Sequence, residues 1–190
     1  MSQPDSLRVL IMPGSVRRPS HSVALAHKIA ESFSAPFEPV VLDNILFPLA
    51  DPRFHKNPLE HELDEVRELA GAAQGADAFV WVSPIYHNSY SSHLKNLLDH
   101  LAIRQFSHKV IGLASHGSNR SPQACDHLRI VARGLNAITT PSNVCTANDD
   151  YDETDDGYEV TNDDILLRVK RMVAEVTLMT LGLKSMRPSV

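Results

Sequence analysis

Pro13-Gly14-Ser15-Val16-Arg17-Arg18-Pro19-Ser20-His21-Ser22 joins two segments of opposite character. Before it, Leu7-Arg8-Val9-Leu10-Ile11-Met12 is a short, nearly unbroken apolar run, the pattern of a strand buried on both faces. After it, Val23-Ala24-Leu25-Ala26-His27-Lys28-Ile29-Ala30 reads as a helix. The quoted stretch is therefore a strand-to-helix turn with a glycine, serine hydroxyls and two arginines. A helix N-terminus has unpaired N–H groups and a partial positive charge, so it repels cations unless an anion joins them. Ser15, Arg17, Ser20 and Ser22 are accordingly candidates to hold a phosphate through backbone N–H groups, hydroxyls and a guanidinium fork. The plainer alternative makes Ser20 an N-cap and leaves both arginines in solvent.

The same alternation continues along the chain. Helix is predicted over 20–33, strand over 37–43, and an irregular, proline-containing stretch over 44–58. Leu63, Val66, Leu69 and Ala70 recur at helical spacing and predict a helix over 59–74. Strands over 77–83, 109–115 and 136–146 alternate with a helix over 90–101 and one opened by Ser121-Pro122. An acidic loop over 148–164 overlaps the start of a long amphipathic helix over 161–181. Fivefold β-then-α alternation implies an α/β fold, a parallel sheet with helices on both faces. Proline is excluded from central strands. Pro39 and Pro141 therefore put the second and fifth strands at the edges. That selects the flavodoxin-like order 2-1-3-4-5, in one domain over residues 1–190.

In such a sheet ligands bind beyond the strands' carboxyl ends, near the switch between the first and third strands. Three loops converge there. The first is the phosphate turn. The second is Ser83-Pro84-Ile85-Tyr86-His87-Asn88-Ser89, where Pro84, Ile85 and Tyr86 suit the face of a flat ring, and His87 and Asn88 follow. The third, Ser115-His116-Gly117-Ser118-Asn119-Arg120, offers a glycine amid polar residues so that a ring can approach the backbone. A phosphate at one end and a planar ring about ten ångströms away describe a mononucleotide such as FMN. No GxGxxG follows a strand, and no Walker lysine is present.

Composition sets the outer limits. A chain of 190 residues with 43% hydrophobic and 22% charged residues has an ordinary globular composition. A net charge of −5 without a basic tract argues against broad nucleic-acid binding. Apolar runs are far too short for a bilayer, and the first residues show no basic-then-apolar leader. Two cysteines without CxxC, and scattered histidines without HExxH, point to no metal site and to a reducing, cytoplasmic setting. Cys125 and Cys145 are expected to pack, and Lys95 and Asp99 to pair on a helix surface. The acidic run Asp152-Glu153-Thr154-Asp155-Asp156-Gly157 lacks the closing glutamate of a calcium loop and is expected to be solvated or to meet another subunit.

With these residues in place, a resemblance emerges. Gly14-Ser15-Val16-Arg17-Arg18-Pro19-Ser20 resembles the GSxRxxS turn of the NADPH-dependent FMN reductase family. The segment SPIYHNSYSSHLKNLLDHL, starting at Ser83, is similar to that family's SPxYxxSxxxxLKNxLD. The likeness covers most of the chain and is least marked in the last residues. It implies bound FMN, hydride transfer from NADPH to a small electron acceptor, and a homodimer or homotetramer. By the same resemblance, Ser15, Arg17, Ser20 and Ser22 hold the FMN phosphate. Pro84, Ile85, Tyr86, His87 and Asn88 contact the isoalloxazine, and Ser115, His116, Gly117 and Ser118 face its other polar edge. Leu94, Lys95, Asn96 and Asp99 lie on the helix behind the flavin. No side chain is expected to be catalytic, because the flavin carries the chemistry. Ser22 stands where the family often has Asn, and His116-Gly117 where it often has Gly-Gly. The rival expectations are a non-enzymatic flavodoxin-type electron carrier and a flavoenzyme dedicated to one metabolite.

Overall fold

The computed structural model of the chain describes residues 6–42 and 46–186. Five parallel strands form one sheet in the order β2-β1-β3-β4-β5. They are β1 (Leu7–Pro13), β2 (Phe37–Val41), β3 (Ala78–Pro84), β4 (Val110–His116) and β5 (Ile138–Thr146). Side-chain alternation sends Val9, Ile11, Val80 and Val82 to one face and Leu10, Met12, Phe79 and Trp81 to the other. On the first face α1 (His21–Glu31) and α6 (Asp163–Met186) supply Leu25, Ile29, Val169, Met172 and Val176. On the second, α2 (Asp64–Gly75), α3 (Ser92–Asp99) and α5 (Gln123–Gly134) supply Leu69, Leu94, Leu97, Cys125 and Leu128. The central strands are buried on both sides, which is why their sequences read as continuous apolar runs.

Both prolines occupy the edges, as the sequence predicts. Pro39 in β2 pairs only with β1. At Pro141 the β4–β5 register shifts, with Ile111 opposite Thr139 and Leu113 opposite Asn143. This irregularity releases backbone groups that side chains then take up. Arg129 donates to the Thr140 and Pro141 carbonyls at 2.7 and 3.0 Å, and Glu175 accepts from the Ser142 N–H at 2.8 Å.

Three elements depart from the sequence-based expectation. The second helix begins at Asp64, because Pro58–Glu60 forms a separate 3-10 turn and Leu63 is the half-extended residue before the helix. Leu63 is thus exposed rather than part of the buried stripe. A four-residue helix, α4 (Ile103–Phe106), follows α3 and places Phe106 against Phe79 and Trp81. The acidic segment is not a simple loop: β6 (Tyr151–Thr154) and β7 (Gly157–Val160) form an antiparallel hairpin. Tyr151 and Val160 face each other across it and are buried in the core layer containing α1 and α6. Asn44, at the start of the expected irregular stretch, lies outside the described residues, as does the expected strand end at Asp43.

Candidate functional site

Strand register brings the three loops to one place. Pro13 lies beside Val82, Ser83 beside Ser115 and Pro84 beside His116. The Gly14 N–H donates to the Val82 carbonyl at 2.7 Å, and the Ile85 N–H to the His116 carbonyl at 2.7 Å. A cleft of about 420 Å³ opens between them. Its volume lies within the range of small-molecule and cofactor sites.

The turn between β1 and α1, where the sequence predicts a phosphate, forms one end of the cleft. Ser15, Arg17, Ser20 and Ser22 all line it. Ser15 and Ser22 are almost wholly buried, and the Ser15 hydroxyl accepts from the Arg17 N–H at 3.3 Å. Ser20 is the N-cap of α1; its hydroxyl accepts from the Val23 N–H at 3.4 Å and keeps its own proton to donate. Helices α2, α5 and α6 carry an acid in their first turns, whereas α1, like α3 and the short α4, carries none. Its N-terminal charge is balanced by no residue of its own first turn, and Arg17 adds to it. Arg18 faces away, into a neighbouring depression with His27 and Lys28.

Gly14 lets this turn approach α3. A Cβ there would stand 2.7 Å from both Leu94 Cβ and Ser91 Oγ. The Ser91 hydroxyl donates to the Gly14 carbonyl at 2.6 Å while accepting from the Leu94 N–H at 3.2 Å, so one serine ties the first loop to the start of α3. The other candidates on α3 act away from the cleft. Asn96 holds the 47–50 backbone through Phe47, Pro48 and Ala50, and Lys95 pairs with Asp99 at 2.6 Å.

From the second loop Pro84, Ile85 and Tyr86 line the cleft, and from the third His116, Gly117 and Ser118. Ile85 and Gly117 meet directly, since a Cβ on Gly117 would come 2.9 Å from Ile85 Cδ1. His87, Asn88 and Ser115 do not line it. His87 and Asn88 are the exposed centre of a tight turn in which Tyr86 and Ser89 exchange backbone hydrogen bonds at 2.9 and 3.0 Å. Their φ values of 49° and 62° are left-handed, as the first type of hairpin turn demands. Ser115 is fully buried, and its hydroxyl donates to the Ser121 carbonyl at 3.3 Å.

The third loop is clamped from below. Arg120 donates two hydrogen bonds, at 2.8 and 2.6 Å, to the fully buried carboxylate of Asp150. Burial alone would raise the Asp150 carboxyl, but the Arg120 fork and the Ala147 N–H outweigh it and hold the group below its usual range. Beside the clamp, burial, with help from neighbouring His21, pushes the His116 imidazole down to about 4, so it is neutral at pH 7. His21 is lowered by burial and by the Arg17 charge.

Asn148, Pro19, His21 and Tyr158 also line the cleft and were not singled out in the sequence. Among the described residues no cluster of three or more His, Cys, Asp or Glu side chains could hold a metal ion. No helix of these residues is long and apolar enough to cross a membrane.

The cradle fits FMN on two counts. Small buried hydroxyls and a guanidinium surround an uncompensated helix start, and beside it Pro84, Ile85, Tyr86 and Gly117 line the cleft with the apolar surface and open backbone that suit a flat ring.

Comparison with known proteins agrees. Residues 7–152 match the family model of the NADPH-dependent FMN reductases. The FMN-dependent NADPH-azoreductase of Staphylococcus saprophyticus is 34% identical over 179 residues, covering 90% of this chain and 93% of that protein. Its Staphylococcus aureus counterpart is 32% identical over 175 residues, with the same coverage. Among solved structures, an NADH:FMN oxidoreductase in its apo form has a TM-score of 0.72 at 20% identity, covering 97% of this chain and 93% of its own. An NAD(P)H:(acceptor) oxidoreductase from Paracoccus denitrificans has a TM-score of 0.68 at 17% identity, covering 91% and 98%. The chain belongs to the NADPH-dependent FMN reductase family.

Proposed function

We propose that the cleft is the FMN site of an enzyme that draws reducing equivalents from NADPH and delivers them to a small conjugated acceptor, such as a flavin, a quinone or an azo compound. The azo compound follows the activity for which the staphylococcal relatives are named. The observation that carries the proposal is the cationic, acid-free start of α1 opening into the cleft that Pro84, Ile85, Tyr86 and Gly117 line. Ser15, Arg17, Ser20 and Ser22 bind the phosphate. Pro84, Ile85 and Tyr86 contact the ring, and His116, Gly117 and Ser118 face its other polar edge. His87 and Asn88 shape the turn that presents Tyr86, and Ser115 supports the third loop from within. When bound, FMN supplies the capacity to take up a hydride and pass it on. The protein's part is to fix the ring's distance from its partners and to exclude water, which supplies much of the acceleration through effective molarity. Neutral His116 adds no positive charge to the phosphate end and can hydrogen-bond a polar ring edge.

The proposal extends to a cytoplasmic homodimer or homotetramer of single-domain chains. Tyr86 is 38% exposed at the cleft mouth, an aromatic surface of the kind that subunits cover. The alternative, in which the loop around Arg53-Phe54-His55 folds over the flavin, is disfavoured: Asn96 and His100 fasten the backbone before it at Pro48, and none of the three residues lines the cleft.

The test is an absorbance titration. Wild-type protein should bind FMN more tightly than riboflavin, and anaerobic NADPH should bleach the bound flavin. Arg17→Ala removes charge-assisted hydrogen bonds of about 1.5–3 kcal/mol, roughly ten- to hundredfold in FMN affinity. Equal affinity of the wild type for FMN and riboflavin would falsify the phosphate assignment.

A further inference from the structure

The β6–β7 hairpin carries a contact that the family match does not reach. The matched segment ends at residue 152, and Tyr158 lies beyond it on β7. Yet Tyr158 lines the cleft together with the phosphate turn. Its ring stacks on His21 with centroids 3.7 Å apart and planes 15° from parallel. His21 in turn stacks on His116 at 4.3 Å and 7°. Tyr151 meets both imidazoles edge-on, at 4.7 and 5.3 Å. His21 is the first residue of α1, between the capping Ser20 and the buried Ser22. The stack therefore links three separate segments: the hairpin, the phosphate turn and the third loop.

The hairpin is itself well anchored, so the stack has something to push against. The Tyr151 hydroxyl and Thr146 Oγ1 are hydrogen-bonded at 2.8 Å. The Thr161 N–H donates at 3.0 Å to the backbone carbonyl of Asp150, the residue whose carboxylate Arg120 grips. At the tip, Gly157 abuts Pro19, to whose Cβ a Cβ on Gly157 would come within 3.1 Å. Farther along α1, Glu159 pairs with Lys28 at 3.6 Å. Contacts thus fall on the turn at Pro19, on the first helical residue at His21, and on the helix body at Lys28.

A turn that binds an anion through backbone N–H groups works best when those groups are aimed beforehand, because ordering them on binding subtracts from affinity. Gly14 is held on one side by Val82 and Ser91. The other side of the turn, from Pro19 to His21, meets the hairpin. We infer that Tyr158 is a positioning residue for the phosphate turn, bracing His21 so that the start of α1 is preset for the FMN phosphate. This rests on the proposed FMN site. The low proton affinity of His21 and His116 agrees with it, since neutral imidazoles can stack beside Arg17 without repelling each other.

The brace acts on the phosphate end, so its loss should be felt by FMN and not by riboflavin. Tyr158→Ala should raise the FMN dissociation constant about three- to tenfold, the worth of one aromatic pair. Riboflavin, measured by the same fluorescence quenching, should change less than twofold. Tyr158→Phe keeps the ring and should bind FMN within about twofold of wild type. Inorganic phosphate should raise the melting midpoint of the apo wild type more than that of the apo Tyr158→Ala protein, a readout that involves no flavin. An unchanged FMN constant in Tyr158→Ala, or an equal loss for FMN and riboflavin, overturns the inference while leaving the FMN site standing. Failure of the wild type to prefer FMN removes the underlying site as well. Should Tyr158→Ala not fold, Tyr158→Leu keeps apolar bulk over α1 and is judged by the same FMN-to-riboflavin comparison.

Discussion

Gly14→Ala is a small change with a large expected cost. The added methyl would sit 2.7 Å from Leu94 Cβ and 2.7 Å from Ser91 Oγ, well inside van der Waals contact. Neither neighbour can step aside cheaply. Leu94 is fully buried, and its Cβ is fixed to the backbone of α3. Ser91 is held by three hydrogen bonds, to the Gly14 carbonyl, the Leu94 N–H and the Ser83 hydroxyl. Overpacking of this kind costs about 1–3 kcal/mol. Displacing Ser91 also weakens the cap of α3, worth about 1 kcal/mol. The sum, about 2–4 kcal/mol, lowers the melting temperature of a chain this size by about 5–15 °C. Because Ser91 follows the second loop, the same shift moves Tyr86 away from the phosphate turn, and FMN affinity should fall with stability. Circular-dichroism melts of the apo protein and a flavin titration read both effects. Gly71→Ala is the control: nothing lies within 4 Å of its Cβ in the middle of α2, so it should stabilise by about 0.5–1 kcal/mol. A Gly14→Ala protein that melts within about 2 °C of wild type and binds FMN normally would refute the claimed contact between the first two loops.

Two further outcomes follow from the site and its rim. His116 is held near 4 in the fold against 6.5 when unfolded, so between those values the unfolded chain binds more protons. Stability of the apo protein should therefore fall as pH drops from 6.5 to 4, by about 1–2 kcal/mol after allowing for solvent screening, and His116→Asn should flatten that slope in urea melts. Static light scattering with FMN bound should give a multiple of the 21.0 kDa chain mass, and a monomer at micromolar concentration would remove the support for assembly at the Tyr86 rim.

The architecture was legible wherever a single physical constraint acts on consecutive residues. Doubly buried strands must be apolar throughout, which marked β1, β3 and β4. Proline is excluded from a central position, so Pro39 and Pro141 mark β2 and β5 as edges, where the order of the sheet puts them. Boundaries were less legible where two local signals compete. Leu63 fits the period of α2, but Pro58 starts its own turn, and His61 Nδ1 accepts the Leu63 N–H at 3.1 Å. The His61 side chain, by holding the Leu63 N–H, overrides the apolar period there. Helix α4 is too short for a period to develop, and what holds it is the Ala102 N–H donating to the buried Gln105 side chain.

The site shows the same division between local and non-local causes. For Ser20 the two alternatives, cap or phosphate ligand, are not exclusive: its oxygen accepts from Val23 while its proton remains to be donated toward the cleft. The turn could be read because Gly14, Arg17 and the serines are neighbours in sequence. Tyr158 could not, because its partners His21 and His116 come from distant segments and it lies in an acidic run that reads as solvated. A signal was nevertheless present. In Tyr151-Asp152-Glu153-Thr154-Asp155-Asp156-Gly157-Tyr158-Glu159-Val160, apolar or aromatic residues flank an Asp-Gly step, the pattern of a hairpin. The density of acids masks that pattern, and with it the tyrosine whose ring stands against the first residue of α1.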